Sequence, residues 1–168
     1  ELRTSLLAEK KNGYARITPE QKEEMNAYCK RYAAFMDASK TEREATAWAV
    51  AEAEKYGFVP FVPGMEVKTG DKIYYNNRGK AIALAVIGTE SLAKGANICA
   101  AHVDSPRMDL KPNPLYEDSE IAYFKTHYYG GIKKYQWPTV PLALHGVVYR
   151  QDGSVITGPD IITRGFIY

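Results

Sequence analysis

Asn97-Ile98-Cys99-Ala100-Ala101-His102-Val103-Asp104-Ser105-Pro106 is the stretch on which the fold turns. Its first five residues form an apolar run, which predicts a buried strand of small and β-branched side chains. Ser105-Pro106 stops that run just after a histidine and a carboxylate. In open α/β sheets ligands gather beyond the carboxyl ends of strands, so His102 and Asp104 stand where a site would form. They lie two apart, and on extended backbone they project to the same side. One can bind a cation while the other orients it. By itself, His-x-Asp reads first as a histidine satisfied by a neighbouring carboxylate at a strand end, and its setting has to decide.

Before this stretch the pattern is first helical and then extended. Thr18-Pro19-Glu20-Gln21 joins a capping residue, a proline at the first helical position and a glutamine three past the cap, predicting a helix to about Ser39. Thr41-Glu42-Arg43-Glu44 opens a second, alanine-rich helix that Gly57 closes. Neither helix carries a cluster of polar groups suited to chemistry, and both read as scaffold. Phe58 to Val62 reads as a short strand and Pro63-Gly64 as a turn. Lys72 to Tyr75 and Lys80 to Ile87 form a hairpin across Asn76-Asn77-Arg78-Gly79. The run Ala81 to Ile87 has the length of a central strand, with a loop or short helix around Ser91 before the next. Two helices and a mixture of hairpin and buried-strand patterns give an α/β layer with a mixed sheet.

After Asp109 the texture shifts. Lys111-Pro112-Asn113-Pro114 reads as a stiff, donor-poor linker. Tyr123 to Tyr129, Ile132 to Gln136, Leu142 to Tyr149 and Ile161 to Tyr168 read as strands with almost no helical period. The division is therefore residues 1–112, an α/β part, and residues 113–168, a β-rich part. The 13 tyrosines are the one compositional excess. Those between Tyr116 and Tyr149 suit half-buried strands or an interface.

Composition narrows the function classes. In 168 residues, 22 basic side chains against 20 acidic ones leave a net charge of +2. That is too little for a general nucleic-acid-binding field. No apolar run approaches the roughly 18 residues of a membrane span, and the charged start Glu1 to Lys11 is no secretory signal. Cys29 falls in a predicted helix and Cys99 in a predicted buried strand, which reads as free buried thiols in a reducing, cytoplasmic compartment.

Longer motifs then give the region a family likeness. Ala100-Ala101-His102-Val103-Asp104-Ser105-Pro106-Arg107-Met108-Asp109-Leu110-Lys111 is followed by Asn113-Pro114-Leu115-Tyr116-Glu117-Asp118. Further on come Lys125-Thr126-His127-Tyr128-Tyr129-Gly130-Gly131-Ile132-Lys133-Lys134-Tyr135-Gln136-Trp137 and Pro141-Leu142-Ala143-Leu144-His145-Gly146-Val147-Val148. Together they closely resemble the aspartyl aminopeptidase and aminopeptidase I family, cytoplasmic dinuclear-zinc exopeptidases. Lys11-Asn12-Gly13-Tyr14, Thr41-Glu42-Arg43-Glu44 and Gly57-Phe58 agree as well, so the resemblance covers about residues 10 to 156.

The resemblance implies the N-terminal piece of a zinc-peptidase-type mixed sheet with flanking helices, followed by the start of a β-rich dimerisation domain and hence a homo-oligomer. It implies that His102 ligates one of two zinc ions and that Asp104 orients it, roles that suit neutral imidazole and its need for a partner on the other ring nitrogen. The implied reaction is hydrolysis of the first peptide bond of a peptide substrate, with a metal-bridging hydroxide as nucleophile and a glutamate as general base. His145, in an apolar strand, reads from its setting as a satisfied core or interface residue. The family likeness gives it a second reading, reaching into a partner subunit's site to bind substrate. His127, beside Gly130-Gly131, reads as structural near a bulge or tight bend.

The remaining ligands and the base that the family uses have no counterpart here. The adjacent pair Glu23-Glu24 lies in the first scaffold helix, and one imidazole cannot hold two zincs. The chain alone is therefore expected neither to bind zinc tightly nor to cleave peptides. At the tail, Gly158-Pro159-Asp160-Ile161-Ile162-Thr163-Arg164-Gly165-Phe166-Ile167-Tyr168 resembles a segment of the ribonuclease J family without its histidine-rich metal motif. Locally it reads as a Gly-Pro turn, then a strand with a bulge at Arg164-Gly165. A non-catalytic dimerisation module is the rival reading. An RNA-processing element is a weaker one that the near-neutral charge disfavours.

Overall fold

The computed structural model describes residue 2, residues 6–7 and residues 12–163, with residues 157–163 described by backbone alone. The chain separates into two units, Glu1–Asp37 and Ala38–Tyr168. The first is built on helix α1, Pro19–Ala38, the last residue of which falls in the second unit. Its start is reciprocal: Thr18 N–H donates to Gln21 Oε1 at 3.0 Å and Gln21 N–H to Thr18 Oγ1 at 3.3 Å. Each bond satisfies a donor that a helix end would otherwise leave unpaired. Tyr28, Tyr32 and Phe35 follow at three- and four-residue spacing, so their rings line one side of the helix, 6.4 and 6.2 Å apart.

The second unit opens with helix α2, Glu42–Lys55, entered through a full capping box. Glu44 N–H donates to Thr41 Oγ1, and Thr41 N–H donates back to Glu44 Oε2 at 2.9 Å. Its far end closes as a Schellman turn. Gly57 has φ +80°, its N–H reaches Glu54 O, and Phe58 N–H reaches Ala53 O, both at 3.0 Å. Only a residue without a Cβ takes that backbone cheaply. Buried Ala45 and Ala53 keep the helix close to the sheet it packs on.

That sheet has three strands in the order β1, Val59–Pro60; β2, Lys72–Asn77; β3, Ala81–Val86. β1 runs parallel to β2 and β3 antiparallel to it, so the sheet is mixed, as its pattern predicts. Arg78 at φ 57° and Gly79 at φ 68° take the left-handed backbone in the three-residue connection 78–80, which Lys80 N–H closes on Asn77 O at 3.1 Å. Buried Tyr74, at the centre of β2, donates its hydroxyl to Glu54 Oε1 at 2.8 Å and ties α2 to the sheet.

Two further two-stranded antiparallel sheets follow. β4, Arg107–Asp118, pairs with β5, Ile121–Tyr129, and β6, Leu142–Tyr149, pairs with β7, Val155–Thr163.

Several expectations need correction. Residues 97–101 form no strand and are exposed, Ile98 at 86 %, because among the described residues no strand pairs with them. Cys29 and Cys99 are both exposed, not buried. β3 is an edge strand, and β2 is the central one. Lys111–Pro114 is no linker: β4 runs through it, and the ladder slips between Leu110 and Leu115, where two prolines have no N–H to give. Residues 132–136 hold no strand. Gly158-Pro159 is no turn but lies inside β7, with Gly158 opposite Gly146. The expected bulge at Arg164-Gly165 lies outside the described residues.

Candidate functional site

His102 and Asp104 sit on the segment without regular secondary structure that leads into β4. The structure brings them together: His102 Nδ1 lies 3.0 Å from Asp104 Oδ1 and 2.9 Å from the Asp104 carbonyl oxygen. A carbonyl oxygen can only accept, so Nδ1 carries the ring proton. In the neutral ring the lone pair is then on Nε2, on a side chain that is 79 % exposed. Neutral imidazole with its second nitrogen fixed by a carboxylate is the form that binds divalent metals.

Asp104 is held by more than the histidine. Its carboxyl is lowered below the ordinary value of 3.8, first by a hydrogen bond from the Tyr129 phenol, then by backbone and His102 hydrogen bonds that outweigh partial burial. The same contact raises the Tyr129 phenol. Sequence reasoning passed over Tyr129, at the end of β5. Its signal is the Tyr-Tyr-Gly-Gly run, where Gly130 at φ +73° turns the chain and approaches Pro106.

Arg107 opens β4 and organises the next layer. Its guanidinium stands 4.4 Å above the Tyr129 ring, a cation over a π face, while Nε donates to Asp109 Oδ1 at 2.8 Å. It also forms a 4.0 Å ion pair with Glu42, in the first turn of α2.

His145 is not gathered with His102 and Asp104. Its Nδ1 lies 2.7 Å from Glu44 Oε1, and both side chains are half-buried. β6 loses register with β7 between Leu144 and Gly146, so His145 sits at the irregularity, where a strand re-aims a side chain. Glu44 thus serves twice, as the cap of α2 through Oε2 and as the acceptor for His145 through Oε1. Burial opposes its charge, but hydrogen bonds and charge from His145 and hydrogen bonds from Thr41 win and hold it below the usual 4.5. Reading α2 as mere scaffold missed Glu44, because its partner lies 101 residues on. His127 is in register with Asp109 in the β4–β5 ladder. Among the described residues no three His, Cys, Asp or Glu side chains gather to hold a metal ion. None of the described helices is long and apolar enough to cross a membrane.

The family model described as "Aminopeptidase I zinc metalloprotease (M18)" matches residues 35–162. The match takes in Gly158 to Ile162, part of the tail that reads as nuclease-like. The probable M18 family aminopeptidase 1 of Clostridium acetobutylicum is 47 % identical over 155 residues, 90 % of this chain and 33 % of that protein. The crystal structure of aminopeptidase I from Borrelia burgdorferi B31 aligns with a TM-score of 0.82 and 40 % identity, over 88 % of this chain and 36 % of that one. For the M18 aminopeptidase from Thermotoga maritima the TM-score is 0.78 at 44 % identity, covering 90 % and 33 %. The chain spans about a third of the length of the curated relatives it matches.

Proposed function

Because the chain belongs to the aminopeptidase I zinc metalloprotease (M18) family, we propose that it is the N-terminal portion of an enzyme that removes the first residue of peptide substrates. Within that enzyme it supplies one zinc ligand. The observation that carries this reading is the pair of oxygen acceptors on His102 Nδ1, which in the neutral ring puts the lone pair on Nε2 of an exposed side chain. His102 Nε2 ligates zinc, and Asp104 fixes the ring's tautomer and orientation. Zinc in such a site supplies Lewis acidity toward the scissile carbonyl and acidifies water. The other donors of the two-ion centre, and the general base, belong to the relatives' length outside the third matched here.

Residues 1–112 form part of the catalytic α/β domain and residues 113–168 part of a β-rich dimerisation domain, with β4 crossing between them. In the oligomer His145 assists substrate binding at a second subunit's site. The partners are peptides and further copies of the chain, and neither nucleic acid nor a membrane has a part in this reading.

The test uses the full-length protein, with zinc content measured beside release of N-terminal amino acids from peptides. His102→Ala is expected to lose one zinc equivalent and to cut turnover on the order of 100-fold or more. Unchanged zinc content and turnover would overturn the assignment.

A second reading, a non-catalytic association module, is favoured by the exposed apolar side chains of the hairpins, among them Leu115 at 67 %, Phe124 at 49 % and Tyr149 at 67 %. Size-exclusion chromatography of the same protein separates the readings. Wild-type association together with loss of turnover in His102→Ala supports the enzyme. Association with no turnover in the wild type supports the module.

A further inference from the structure

We propose that Glu44 is a positioning residue for His145: its Oε1 fixes how the imidazole is turned and which ring nitrogen is left for a peptide. This inference rests on the reading of His145 as a substrate-binding residue and deepens it.

The carboxylate is held from one side before the imidazole meets it. Oε2 accepts from Lys40 N–H at 2.9 Å, from Thr41 N–H at 2.9 Å and from the Thr41 hydroxyl at 3.1 Å. Three donors on one oxygen pin the group to the start of α2, and the Glu44 N–H is itself bonded to Thr41 Oγ1 at 3.3 Å. Oε1 is left for His145, whose Nδ1 lies 2.7 Å away, the length of a charge-assisted bond. An ionised carboxylate only accepts, so Nδ1 carries a proton. The nitrogen that the ring can offer a peptide is then Nε2.

The physical need for such a group follows from the strand. β6 and β7 lose register between Leu144 and Gly146, so the ladder does not fix the direction of the side chain between them. A histidine there has rotamers and two neutral tautomers to choose from, and freedom lost on binding a peptide weakens affinity. Glu44 removes that freedom beforehand, while the imidazole side chain keeps 20 % of its surface exposed. The helix cap that starts α2 therefore also aims a residue of β6, and in the oligomer that residue serves a second subunit's site.

The experiment is steady-state kinetics of the full-length protein, reading release of N-terminal amino acids from peptides, for wild type, Glu44→Gln, His145→Ala and the double variant. In Glu44→Gln the amide oxygen keeps the cap while the NH2 faces Nδ1, which must then accept, and the ring proton moves to Nε2. His145→Ala is expected to raise KM about tenfold and Glu44→Gln about fivefold, the size of one oriented hydrogen bond. The loss is expected to fall on KM more than on kcat, with zinc content at the wild-type level. The double variant is expected to match His145→Ala, since Glu44 acts on the peptide only through the ring. Glu42→Gln takes a charge from the same helical turn at a residue paired with Arg107 instead, and is expected to leave KM as in wild type. A merely structural carboxylate would give additive losses in the double variant or an equal rise in Glu42→Gln, and either would overturn the proposal. Glu44→Asp keeps the charge one methylene short of the ring; it serves where the glutamine variant melts early and is expected to raise KM likewise. Wild-type KM in the folded Glu44 variants beside a raised KM in His145→Ala would overturn the proposal while leaving the His145 reading intact. Wild-type KM in His145→Ala would sink that reading and the proposal with it.

Discussion

At the level of single side chains, the ends of the His102–Asp104 pair were legible because they are two residues apart and need only local backbone to meet. Glu44 and Tyr129 were not, since each acquires its meaning from a partner far along the chain. Glu44 also makes a pH prediction. Its carboxyl is depressed in the folded protein below the unfolded 4.5, so the stability it contributes is present above pH 4.5 and is lost as pH falls through the folded value. Glu44→Gln keeps a capping side chain three past Thr41 but removes the charge that His145 meets. We expect it to cost about 1 kcal/mol at pH 7, a figure already reduced for solvent screening at a half-buried pair. In urea denaturation of variant and wild type, that gap is expected to close as the pH is taken well below 4.5. A gap that persists unchanged in acid would mean the His145 contact carries no charge-dependent stability.

Among the elements, the helices, the β2–β3 hairpin and the β6 span, Leu142 to Tyr149, could be read in advance, because caps, glycines and alternation are local signals. The segment 97–101 could not, since a strand exists only through its neighbour and no apolar run names its partner. The two prolines of β4 misled for a related reason. A missing N–H breaks a ladder inside a sheet but is harmless at a bulge, and the slip between Leu110 and Leu115 is such a place. The β4–β5 turn was likewise silent in the sequence. Ser119 at φ 53° and Glu120 at φ 66° both adopt left-handed backbone without being glycine. Each costs on the order of 1 kcal/mol relative to a residue at ease there. Glu120→Gly is therefore expected to stabilise the hairpin by about 1 kcal/mol, because glycine keeps the backbone N–H that donates to Glu117 Oε1 at 2.7 Å. A lower midpoint in urea for the glycine variant would refute the strain argument.

For the whole chain, the balance of buried and exposed apolar surface decides what the 168 residues can do alone. Among the described residues the buried apolar side chains are Ala45, Ala53 and Tyr74, whereas Val86 on the edge strand β3 is 61 % exposed and Leu84 beside it 48 %. A three-stranded sheet with one helix on it and an open apolar edge invites pairing with another strand. The relatives, about three times as long, have the length to supply such cover. Metal chemistry leads to the same expectation: one exposed imidazole with one carboxylate falls short of the three or four donors a zinc ion takes. Isolated, the 168-residue chain is expected to bind a hydrophobic dye such as ANS and to associate as its concentration rises. After dialysis it is expected to retain far less than one zinc per chain and to release no amino acid from peptide substrates. Val86→Lys is expected to reduce dye binding and association without restoring either zinc or turnover, because covering an edge does not add ligands. Stoichiometric zinc or sustained turnover in the isolated chain would show that these residues complete a metal centre by themselves, and the division of the site between this third and the rest would then be wrong.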